Sequence, residues 1–62
     1  MAFDINEATF DRLCKLGLSV SQAARLIGQR DQQGGFSSLD ELDDLRGLPR
    51  EMIEMLKDAA SA

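Results

Sequence analysis

Two glycine–leucine pairs stand in matching surroundings. Gly17-Leu18 is followed by Ala23 and Leu26, and Gly47-Leu48 is followed by Ile53 and Leu56 at the same intervals. Ahead of each glycine is a Leu-x-x-Leu pair, Leu13 and Leu16 in one copy, Leu42 and Leu45 in the other. The register slips by one residue, because Leu16 adjoins Gly17 whereas Arg46 separates Leu45 from Gly47. Apolar residues three and four apart share one face of a helix. Each copy therefore reads as helix, tight glycine turn, helix. A helix pair with one apolar face cannot bury it alone, so the two copies are expected to close against each other.

Local signals place the four helices. Asn6 or Thr9 can cap the first, in which Phe10, Leu13 and Leu16 share a face, Cys14 lies beside them and Gly17 ends the run. Ser19-Val20-Ser21-Gln22 is a capping box that opens a second helix running to about Gln32. Its apolar side is expected to carry Val20, Ala23, Ala24, Leu26 and Ile27. Gly34-Gly35 marks a turn with at least one positive φ, and Phe36 is the largest apolar group available to plug the junction. A second capping box, Ser38 to Glu41, opens a short third helix. Leu39, Leu42 and Leu45 lie on one side of it, and Asp40, Glu41, Asp43 and Asp44 on the other.

Pro49 suits the first position of the fourth helix, where its missing N–H costs nothing. Met52, Ile53, Met55, Leu56 and Ala59 make that helix's inner face. Phe10 and Phe36 are expected in the core. Of the methionines, Met1, Met52 and Met55, the latter two are expected as core filler at helical spacing. The tail Ala60-Ser61-Ala62 is expected to fray. No alternating run predicts a strand.

Composition narrows the chemistry. A chain of 62 residues is one domain of modest stability. With Cys14 as its one cysteine and no histidine, it has no disulfide framework and no usual zinc site. Cys14 also lacks a histidine to activate it, and the carboxylates fall on separate exposed faces. No catalytic residue, cofactor, metal or small-molecule substrate is therefore expected. Seven basic against eleven acidic residues give a net charge of −4, which opposes loose, whole-surface attraction to nucleic acid or anionic membranes. Met1-Ala2-Phe3-Asp4 lacks the basic and apolar regions of a signal peptide. No apolar run approaches the roughly 18 residues of a membrane helix. A cytoplasmic protein is the expectation.

The lead-in Asp4-Ile5-Asn6-Glu7-Ala8 and the central run Leu26-Ile27, Arg30, Gly34-Gly35-Phe36, Ser38 and Leu39-Asp40-Glu41-Leu42 form a recognisable pattern. It resembles the tandem helix–hairpin–helix domain of the DNA-uptake competence proteins and their relatives, over roughly residues 4 to 58. The resemblance implies one compact all-α, SAM-like domain of four to five helices spanning residues 1–62. Unit one covers about 7–32 and unit two about 38–60. Such domains often bind DNA without reading its sequence. Their glycines let amides at the next helix's start meet a phosphate. The contacts so implied are Lys15, Gly17, Leu18 and Ser19 at the first hairpin, and Arg46, Gly47, Leu48 and Arg50 at the second. Arg30 matches a recurring position in the family pattern. It is expected to close the domain on backbone carbonyls or an acidic neighbour.

The sequence departs from this family where the phosphate would sit. The second glycine of each Gly-hydrophobic-Gly turn is replaced, by Ser19 in one hairpin and Pro49 in the other. Serine adds a side chain and can turn its hydroxyl inward as a cap, whereas proline deletes a donor. Gln22 follows the first hairpin where the family carries lysine. Two readings of function result. In the first, the fold serves protein interaction, with Asp40, Glu41, Asp43 and Asp44 as an acidic face for a basic partner or a second copy. In the alternative, the hairpins bind DNA weakly and in a salt-dependent way.

Overall fold

In the computed structural model, which describes residues 3–61, each sequence copy is a helix pair turning about its glycine. Helices α1 (Phe10–Lys15) and α2 (Val20–Gln33) form the first pair. A 3-10 helix (Leu39–Asp44) and α3 (Arg50–Ala59) form the second. The domain is all-α apart from two residue pairs at its ends. There β1 (Phe3–Asp4) and β2 (Ala60–Ser61) run in parallel, Phe3 opposite Ala60 and Asp4 opposite Ser61.

The residues that recur between the copies are the ones the fold buries, except that Leu16 is half-buried where its counterpart Leu45 is buried. Leu18 and Leu48, Ala23 and Ile53, Leu26 and Leu56 are all buried, as are Leu13 and Leu42 from the pairs ahead of the glycines. The five large side chains fully enclosed are Ile5, Leu13, Leu26, Leu42 and Leu56. That is one leucine from each helix and one isoleucine from the lead-in. Extents of 25 × 23 × 21 Å are nearly equal, so the two units share one core rather than lying side by side as separate rods. Burial of each such side chain stabilises by about 1.5–3 kcal/mol.

The capping signals act as the sequence leads one to expect. Thr9 Oγ1 accepts from Arg12 N at 3.1 Å. Ser19 and Gln22 bond reciprocally, side chain to backbone, at 2.9 and 3.1 Å. At the second box the glutamate carries the contact: Glu41 Oε2 accepts from the amides of Ser37 at 2.6 Å and Ser38 at 3.0 Å. The helix that follows is 3-10 rather than α. With three residues per turn, that form lines up Leu39, Leu42 and Leu45, whose spacing is strictly three.

Several expectations are corrected. Phe10 is 42% exposed. The lead-in's Ile5 and Ala8 already fill the core, and the short α1 turns only Leu13 fully inward. Val20 and Ala24 are exposed, while Leu26 is fully enclosed. Asn6 does not cap α1. Pro49 is the N-cap rather than the first helical residue, its ψ of 154° still extended. Ala60-Ser61 does not fray but pairs with the lead-in, and Ile5 N donates to Ser61 O at 2.8 Å. Met1 and Ala62 lie outside the described residues.

The lead-in is a strap fixed at several points. Asn6 Nδ2 donates to Phe36 O at 2.9 Å, and Phe36 N donates to Asn6 Oδ1 at 2.6 Å. Gly35 has φ +110°, and a Cβ there would stand 3.1 Å from Asn6 Oδ1. Both the backbone conformation and the close approach therefore require glycine. From α2, Arg30 Nη1 donates to Ile5 O at 3.2 Å and to Ala8 O at 2.7 Å. Arg30 thus closes the domain on backbone carbonyls, one of the two roles foreseen for it. Arg30→Ala is expected to cost about 1–2 kcal/mol and to lower the Tm by roughly 4–16 °C. An unchanged thermal melt would contradict this role.

Candidate functional site

The two hairpins share a backbone plan but differ in what they leave open. Gly17 has φ +115° and Gly47 φ +86°. In both turns the following leucine side chain is buried, so Leu18 and Leu48 anchor the turn and can offer a partner only backbone. What each hairpin can bind then depends on its free amides.

In the first hairpin those donors are largely spent. Gly17 N donates to Cys14 O at 3.1 Å and Leu18 N to Leu13 O at 3.2 Å. Ser19 N donates to Gln22 Oε1. Among the described residues, only Val20 and Ser21 at the start of α2 keep amides without an intramolecular acceptor. Val20 covers that end with an apolar side chain 67% exposed. The nearby Lys15 pairs with Asp11 at 3.1 Å across an exposed helix turn, a contact of little energy.

The second hairpin is the more open. Leu45 N donates to Leu42 O, and Met52 N and Ile53 N both donate to Pro49 O. Among the described residues, the amides of Arg46, Gly47, Leu48, Arg50 and Glu51 have no intramolecular acceptor. Pro49 interrupts the row. Arg46 and Arg50 flank the turn, and Arg50 Nε lies 3.9 Å from Glu54 Oε1.

A third arginine approaches this turn from the other unit. A Cβ built on Gly47 would stand 2.8 Å from Arg25 Nε and 3.1 Å from Arg25 Cδ. The side chain of Arg25, on α2, therefore lies directly on the Gly47 backbone. No sequence signal singles Arg25 out, because its neighbour at the turn lies more than twenty positions away in the chain. A side chain at Gly47 would push Arg25 aside from this position.

The acidic face is mostly engaged within the domain. Lys57 Nζ, from α3, lies 2.9 Å from both Asp43 carboxylate oxygens and 3.9 Å from Asp40 Oδ1. Glu41 holds the Ser37 and Ser38 amides and accepts from Gln33 Nε2 at 2.7 Å. Asp44 is exposed and, among the described residues, forms no ion pair. The four acids are thus brought onto one element, but three of them tie it to its neighbours.

The hydrogen bond to Asp43, reinforced by the charges of Asp43, Asp40 and Glu54, raises the Lys57 pKa above its ordinary value against an opposing effect of burial. A raised folded-state pKa contributes stability that is complete below the ordinary lysine range and is lost as pH climbs through the folded value. The Tm is therefore expected to fall above about pH 10. Lys57→Met should show a smaller fall over that interval, and equal falls would refute the assignment.

Among the described residues, no helix is long and apolar enough to cross a membrane. A family model described as the helix-hairpin-helix motif matches residues 2–60. The match identifies the motif and does not reach down to the DNA-uptake competence proteins. Neither the curated proteins nor the solved structures compared give a match. The match runs from the lead-in through both glycine turns to the end of α3, and the chain belongs to the helix-hairpin-helix family, a fold that generally serves DNA binding or protein interaction.

Proposed function

We propose that the domain is a non-catalytic module that binds the phosphate backbone of duplex DNA, weakly and without reading sequence, through its second hairpin alone. The observation that carries this reading is the contrast between the turns. The Gly17 hairpin spends its amides internally, whereas the amides around Gly47 stay open at the start of a ten-residue helix. Open amides at a helix start, with arginines beside them, suit a phosphate oxygen. Asp40 and Asp43 lie beside Lys57, and Glu41 holds the Ser37 and Ser38 amides, so these three carboxylates are engaged within the domain. The net charge of −4 still opposes long-range attraction and keeps the binding weak.

The interaction is modest by construction. Phosphate contacts from Arg46 and Arg50 give a slope of log affinity against log salt of about −1.8. Pro49 removes one donor from the row. A titration of isotope-labelled protein with mixed-sequence duplex at low salt tests the reading. Saturable amide shifts are expected at Gly47, Leu48, Arg50 and Glu51, with Gly17, Leu18 and Ser19 unmoved, and salt should weaken them. No shift with DNA at submillimolar concentration would overturn the proposal.

Protein docking is the second reading, supported by exposed Val20 beside the closed hairpin. It also rests on Asp44, the member of the acidic face with neither an ion pair nor a side-chain hydrogen bond among the described residues. A basic partner or second copy docking there would shift Val20 and Asp44 and leave the Gly47 amides in place. The same labelled protein, titrated with itself by dilution and with a lysine-rich peptide, distinguishes that pattern.

A further inference from the structure

We infer that Arg25, contributed by the first helix–hairpin–helix unit, is a phosphate-binding arm of the second hairpin; the inference rests on the DNA reading above and adds a residue to it. Arg25 is exposed and, among the described residues, has no carboxylate within ion-pair distance. Its Nε and Cδ nevertheless lie against the bare Cα of Gly47. A long, charged side chain with no acidic partner ordinarily extends into water. Here it lies across the turn whose amides are open.

The position matters because of Pro49. A helix–hairpin turn ordinarily offers a run of amides, and proline breaks that run. A guanidinium has five donors in a planar fork and keeps its charge at every working pH. Arg25 therefore supplies from the side what the backbone lacks. Arg46 precedes the same glycine and Arg50 follows it by three residues, so the site draws on both units and exists only when they are packed together. The first hairpin has no such arm: a Cβ at Gly17 would meet nothing within 4 Å.

The experiment compares wild type with Arg25→Gln and Arg12→Gln in binding to a mixed-sequence duplex across a salt series. Arg12 is the control for charge alone, because its guanidinium stacks 5.3 Å from the Phe3 ring centroid and takes no part in the hairpin. Arg25→Gln is expected to bind about five-fold more weakly at low salt, with the salt slope reduced by about 0.9, one phosphate contact. Its melting temperature should match wild type, since Arg25 is exposed. Arg12→Gln should keep the wild-type slope. If wild type binds and Arg25→Gln shows the wild-type affinity and slope, the arm is refuted and the DNA reading stands. An equal loss in Arg12→Gln also refutes the arm, because net charge then explains the effect. If wild type itself does not bind, both proposals fail together.

Discussion

Leu26→Ala is expected to leave a large share of the protein unfolded at 25 °C. Leu26 is fully enclosed near the middle of α2, the helix that also carries Arg25 and Arg30. Truncating a buried leucine costs about 3–5 kcal/mol, because the lost transfer energy is joined by the cavity left behind. A domain of this length has only about 3–9 kcal/mol to lose, at the usual 0.05–0.15 kcal/mol per residue. Far-UV circular dichroism should show reduced helix before any heating and an early, shallow melt. Leu26→Met keeps the volume and should cost under about 1.5 kcal/mol. The repeat adds a sharper demand: Leu56, the counterpart of Leu26 in the second copy, is equally enclosed, so Leu56→Ala should suffer a comparable loss. A variant of either residue that melts like wild type would show that the two units do not share the core described here.

What the sequence discloses and what it hides divide along the range of the interaction. The capping box at Ser19, the glycine turns and the matched leucines are all read within a few residues, and all appear in the fold. Errors begin where an element's environment decides. Ala23 and Ala24 are adjacent, but a helix turns its side chains by about 100° per residue, and only Ala23 meets the core. Val20 fits the apolar period and still faces water, because it stands at the outer end of α2. The strand pair at Phe3 and Ala60 is too short to show alternation. The hairpins were legible as turns, with Lys15, Gly17, Ser19, Arg46, Gly47 and Arg50 all placed at or beside them. Which hairpin stays open was not, because it depends on carbonyls behind each turn and on Arg25 arriving from another helix.

Asn6→Ala is the test of the lead-in strap, and its expected effect is large for a polar residue at the chain's start. The Asn6 amide both donates to and accepts from the backbone of Phe36, a residue thirty positions onward that is itself buried. Alanine would leave the Phe36 N–H and C=O without those partners in a place where water reaches poorly. Each fully buried group left unmade costs about 1–3 kcal/mol; both bonds here are only part-buried, so the loss should fall in the lower part of the two-group range, about 2–4 kcal/mol. Asn6→Asp keeps an acceptor for Phe36 N but has no amide to donate, and about half the loss is expected. Hydrogen exchange localises the effect: the Phe36 amide should exchange far faster in Asn6→Ala, beyond what the lower global stability alone predicts. Arg30 still holds Ile5 and Ala8 from α2, so the strap should loosen at its Phe36 anchor before it leaves the core. Wild-type exchange at Phe36 in the alanine variant would mean that Ile5 and Ala8 pin the strap by packing alone, with the asparagine pair incidental.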